Sequence, residues 1–215
     1  MIAVGLPTAL QKALAVSLGL CMSLAVSPLP GLAQANLRNS FPGRRVGGGT
    51  RGECSARTLV HLVPDNSVFA PGSSGDLALV QGPTANPVSL TMTFKPKAGG
   101  PSSSQTLPAS SAGLTLVRQS TISAPTIWES GFDCASADAA AGADPLSFIE
   151  TASPPAVSLL LPTPEAGDVQ VQKALQSLRK SCGATVPAAE TLAQFGLADV
   201  VTAEWPQQLP VRCPS

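Results

Sequence analysis

Three arginines beside a run of glycines make the chemically richest stretch of this chain, Phe41-Pro-Gly-Arg-Arg-Val-Gly-Gly-Gly-Thr-Arg-Gly-Glu-Cys54. Glycines leave backbone amides uncovered, and guanidinium groups present planar forks of donors that fit carboxylates and phosphates. Arg44, Arg45 and Arg51 are therefore the candidate anion-binding residues, a nest for a carboxylate, phosphate or sulfated glycan. The glycines are not a nucleotide loop, because the lysine of that motif is absent and no strand precedes them.

Catalytic chemistry is thinly furnished. A Ser-His-Asp site has only His61 to draw on, in the middle of the strand-like run Thr58-Leu-Val-His-Leu-Val63. His61 either shares an inward face with Leu59 or, if Val60 and Leu62 face in, looks to solvent. No G-x-S-x-G elbow occurs, and Gly72-Ser-Ser-Gly75 has the spacing of a flexible loop. Glu129 with Asp133, or Asp65 with Asp76, are the acidic pairs on which a hydrolase would have to be built. Residue type alone supports them, so no catalytic residue is assigned. With one histidine, no CxxC pair and wide cysteine spacings, no metal or cofactor is expected.

The elements that position these residues begin after residue 35. Lys12 is the only charge in 1–35, Ala13 to Val26 are apolar, and Ala33-Gln34-Ala35 supplies a small-x-small cleavage site. The apolar run is shorter than the about 20 residues of a membrane span. The mature chain is thus expected to start at Asn36, to be exported to the periplasm or beyond the cell, and to hold no transmembrane segment. Cys54, Cys134, Cys182 and Cys213 then remain, enough for two disulfides in an oxidising compartment. Three pairings are possible. Cys182–Cys213 is favoured because it ties a helix end to the C-terminus, which leaves Cys54–Cys134.

Formal charge balances at +0, so no overall field attracts nucleic acid. Residues 36–118 nevertheless carry a basic excess and residues 119–215 an acidic one. Short apolar runs at 58–63, 76–81, 113–119, 125–129, 146–149 and 157–161 read as strands. Val88 to Phe94 alternates most clearly, and Trp128 reads as a core aromatic. A helix is predicted over 168–180, capped by Asp168 and lined by Val171, Ala174, Leu175 and Leu178. A shorter helix follows from Pro187 to Phe195, then a strand over 199–205. The fold class is mainly β, an antiparallel sheet or sandwich with one or two short helices near the C-terminus. The expected organisation is a signal peptide (1–35), a flexible basic arm (36–53) and a single β-rich domain (54–215) with a mobile loop at 95–112.

The run from Phe41 to Pro64 resembles the opening of a family of exported cyanobacterial proteins catalogued as domain of unknown function 928. The resemblance rests on Arg44-Arg45, Gly47-Gly48-Gly49, Arg51-Gly52, Cys54 and the Leu-Val-x-Leu-Val-Pro segment at 59–64. It implies a cyanobacterial origin and export, and carries no mechanism. The functional expectation is a non-catalytic envelope protein with a binding or structural role, its partner an anionic glycan, lipid or protein. The alternative is an extracytoplasmic hydrolase using acidic residues.

Overall fold

The computed structural model describes residues 37–49, 57–133 and 154–214. Residues 1–35, expected as a signal peptide, and Arg51, Cys54, Cys134 and the apolar run at 146–149 lie outside those residues. The described strands form two sheets. One has the order β1 (Val46–Gly49), β2 (Arg57–His61), β4 (Asp76–Gln81), β7 (Gly113–Arg118), β11 (Gln208–Arg212), β10 (Thr185–Pro187). The other runs β3 (Val68–Phe69), β9 (Ala156–Leu160), β8 (Thr126–Phe132), β5 (Leu90–Pro96), β6 (Ser103–Leu107). The β-rich class is as expected, but the sheets are mixed rather than antiparallel: β3 pairs β9, and β11 pairs β7, in parallel.

Alternation and register decide which side chains meet. Leu90, Met92 and Phe94 of β5 are buried while Thr91 and Thr93 are half-buried, the period-two pattern of a strand with one covered face. In contrast, all of β4 and Leu59 to His61 of β2 are buried, because the six-stranded sheet is covered on both faces. Register aligns His61, Leu79, Thr115 and Arg212 across four strands. His61 stacks on Trp128 of the other sheet with ring centroids 3.5 Å apart, so this is the face between the sheets. His61 thus lies on the Leu59 side of its strand. Leu62 is buried as well, so no choice between an inner and a solvent face arises.

Helix α1 (Ala166–Arg179) packs against β4 and buries Val171, Leu175 and Leu178. Its N-cap is Glu165 rather than Asp168; Asp168 sits at the third helical position and closes a capping box with Glu165. A short α2 (Ala188–Ala193) follows Pro187. Cys182 and Cys213 are bridged, with 5.7 Å between their Cα atoms, which fastens the end of α1 to the end of β11.

Residues 37–49 of the segment expected as a flexible arm are built into both sheets. Leu37 and Phe41 cover a small apolar cluster of Val68, Ala70, Leu159 and Leu161. Arg38 is buried against the capping box, with Nη2 2.5 Å from the Asp168 carboxylate and Nε 3.0 Å from that of Glu165. Arg44 exchanges backbone hydrogen bonds of 2.9 and 2.7 Å with Val157, and β1 pairs with β2. The glycines here serve close approach. A Cβ on Gly47 would lie 2.4 Å from the Ala156 nitrogen, and one on Gly48, at φ +121°, 1.9 Å from the Arg57 carbonyl oxygen.

Two further expectations are corrected. The mobile loop 95–112 contains β6, which pairs with β5; hydroxyl contacts of 3.2 Å (Thr91–Thr106) and 3.3 Å (Thr93–Ser104) tie the exposed face. Its Ser-Ser-Gln-Thr sequence suits a strand whose four polar side chains all meet solvent and which is an edge among the described residues. The strand expected at 199–205 is instead a 3-10 turn at Ala198–Val200, and β11 takes its place. Pro210 fits there because β11 meets β10 over 208–210 and β7 only from Val211 onward.

Candidate functional site

Of the arginines singled out by sequence, Arg51 lies outside the described residues, and Arg44 and Arg45 reach in different directions. Arg45 Nη1 donates to the carbonyls of Val63 (2.9 Å) and Phe195 (2.8 Å), Nη2 to that of Gly196 (3.2 Å), and the guanidinium pairs with Asp65. Phe195 and Gly196 follow α2, so a cation satisfies the carbonyls that a helix end leaves open. Arg44 reaches the other way, to the Pro155 carbonyl, at 3.3 Å from Nε and 3.1 Å from Nη2. Both forks face protein oxygen rather than an open nest. Arg45→Met is expected to lower stability by about 1–3 kcal/mol in a denaturant titration, since it strips three backbone acceptors of their donor. A midpoint equal to wild type would show those contacts to be dispensable.

The catalytic candidates are likewise not assembled. His61 is fully buried, with Nδ1 2.8 Å from Ser158 Oγ and its ring against Trp128. Burial pushes its pKa well below the usual histidine range, so it is neutral. It is a core residue, as is Trp128. Glu129 pairs with Lys95 at 3.2 Å and Asp133 accepts from Thr91 at 3.0 Å. Four residues apart along extended chain, their Cα atoms are about 13 Å from each other, against a carboxyl separation of about 5–9.5 Å for glycoside cleavage. Asp65 is exposed beside Arg45, whereas Asp76 is buried beneath Arg179 at 2.7 Å. Among the described residues, neither acidic pair lines the clefts at Arg57, Arg118 or Arg212.

The structure gathers a different set of arginines where the two sheets part at the β6 edge. Two cavities there, of ≈ 320 and ≈ 360 Å³, share Cys213 and Pro214 as a common wall and form one groove. Arg212 enters the first, Arg118 and Arg179 the second. Asp76 is the carboxylate that answers Arg179, and it stands 3.6 Å from Arg118. Arg212 has no carboxylate partner among the described residues. Its Nη2 donates to the Ala112 carbonyl at 3.3 Å, and its buried Nη1 has no acceptor. The guanidinium lies against Gly113, where a Cβ would come within 2.2 Å of Nη1. Partial burial lowers the Arg212 pKa. Gln81, in register with Gly113, donates nothing from its buried Nε2 and accepts from Ser110 Oγ at 2.7 Å. Around Arg212 the walls are mostly apolar, Leu107, Pro108, Ala109 and Pro214, with Ser110 and Thr115 beside them. The groove therefore offers surplus donors, positive charge and an apolar lining, the complement of an acceptor-rich anion with an apolar body.

A larger cleft of ≈ 590 Å³ is lined by Gly48, Arg57, Pro154 and Trp205 among others. Three of these residues adjoin or closely border stretches outside the described residues, and the Arg57 guanidinium donates to the Asn86 carbonyl. No site is assigned to it. One signal for the Arg212 groove was present in the sequence. The favoured Cys182–Cys213 bridge must bring Arg179, one helical turn before the first cysteine, close to Arg212, next to the second. No family model, curated protein or solved structure matches the chain.

Proposed function

We propose that this is an exported, non-catalytic binding protein of the cell envelope, and that its recognition site is the groove between the sheets. The observation that carries the reading is Arg212, a half-buried guanidinium that lines a largely apolar cavity and whose Nη1 has no acceptor, with no carboxylate beside it among the described residues. The ligand is anionic. Export rests on the composition of residues 1–35, and it gives the cysteine bridge an oxidising compartment.

Hexanoate serves as the test probe, with hexanol as the uncharged control. Chemical shifts of groove residues are expected to move with hexanoate and not with hexanol. Affinity should weaken between about 50 and 300 mM salt, as screening of an exposed charge requires. Arg212→Gln is expected to weaken binding at least about tenfold, while Arg44→Ser leaves it unchanged. Equal shifts from both probes, or shifts that map to Arg44 and Arg45, would defeat the assignment.

A further inference from the structure

The groove follows a strand. Gln105 lines the half under Arg118 and Arg179, and Leu107 the half that holds Arg212. Two residues apart in β6, they point to the same face and stand about 7 Å apart. Among the described residues β6 is the outermost strand of its sheet, paired with β5 on one side, and Ser103 to Thr106 are exposed. The amides and carbonyls on its free edge are a template for one more strand, and alternate side chains of an added strand fall into cavities beside it. At the Leu107 end, that line of hydrogen bonding runs into apolar walls and an unanswered guanidinium.

Resting on the groove reading above, we infer that the ligand is an extended peptide that adds to β6 and ends in a free α-carboxylate held by Arg212. Its terminal side chain is apolar and packs among Leu107, Pro108 and Pro214. Because Leu107 is the last residue of β6, the peptide runs parallel to that strand. Backbone hydrogen bonds supply affinity that is indifferent to sequence, and the end pocket selects the terminus.

Equilibrium dialysis of the exported protein tests this with two hexapeptide pools, each randomised at five positions and ending in leucine. One pool has a free carboxylate and the other a C-terminal amide. The free-acid pool should be retained at least tenfold more than the amide pool, and hexanoate should displace it. Methylation of the backbone nitrogens of the peptide should abolish retention, and Arg212→Gln should reduce it tenfold or more. Gly113→Ala, which displaces the guanidinium without removing its charge, should weaken retention too. The competition and peptide-methylation arms use wild-type protein, so a variant that fails to fold does not decide the matter. Equal retention of acid and amide pools overturns the carboxylate capture. Retention that survives methylation overturns the strand addition. Binding of hexanoate through Arg212 with neither pool retained overturns the peptide and leaves a small amphiphilic acid in the groove. If neither the pools nor hexanoate bind, the groove reading itself falls.

Discussion

Acidification from pH 6.5 to 5 should destabilise this protein through a single side chain, its only histidine. His61 is sealed between the sheets against Trp128 and Ser158, and burial holds its folded pKa well below the ordinary value of 6.5. The unfolded chain takes up a proton there below about pH 6.5, and the folded chain does not until the pH falls through the lower folded pKa. Within that window stability falls with pH at up to about 1.4 kcal/mol per unit. Above pH 6.5 both states are neutral and the residue adds no pH dependence. Carboxylates titrate mostly lower, near about pH 4, so the window isolates the imidazole. Denaturant titrations at pH 7.0, 6.0 and 5.0 should show the slope in wild type and lose it in His61→Phe. That variant keeps an aromatic ring against Trp128, although it leaves Ser158 Oγ without a partner. Ser158→Ala should retain the slope. A pH-independent midpoint in wild type would place an acceptor or a protonated ring where the structure has a neutral one.

Removing the Cys182–Cys213 bridge is expected to have the larger effect on stability. A bridge closing 31 residues restricts the unfolded chain by about 3–4 kcal/mol in the loop-entropy account. The double variant Cys182→Ser, Cys213→Ser should lose that amount, read from denaturant midpoints of non-reduced wild type and variant. Position makes this bridge matter beyond its entropy. Cys213 walls both halves of the groove, and it follows Arg212 directly. Anion binding should weaken even in conditions where the double variant is fully folded. Unchanged binding with unchanged stability would make the bridge incidental to both.

Elements with a period of their own were legible in the sequence. The spacing of Val171, Leu175 and Leu178 gave α1, and the β-branched and apolar runs at 76–81 and 113–119 gave β4 and β7 nearly to the residue. Strands β1, β3 and β10, at two to four residues, are too short to show alternation. They exist because neighbours present paired edges to them. The glycines at 47–49 misled for a related reason: freedom of the chain and absence of bulk look identical in one-letter code, and here Gly47 is set by absence of bulk, Gly48 by that together with its positive φ, and neither by flexibility. The same ambiguity hid the site. Arginine clusters in sequence, at 44 and 45, are spent on carbonyls, whereas Arg118, Arg179 and Arg212 are scattered and meet only through the fold.

The place of β11 bears on how the molecule comes into being. This strand, the last of the described residues, is not an edge; it sits between β7 and β10 and runs parallel to β7, almost a hundred positions upstream. β2, β4 and β7 can pair as soon as they emerge, yet the six-stranded sheet remains open at β7 until residue 212 is available. Such sequence-distant pairing raises contact order and slows folding. During synthesis the chain is therefore held short of its native state, with Leu114 and Leu116 awaiting a partner strand. For the export proposed above, a chain has to reach its channel unfolded, and a topology that defers closure to the last described strand keeps it threadable for as long as the passage lasts.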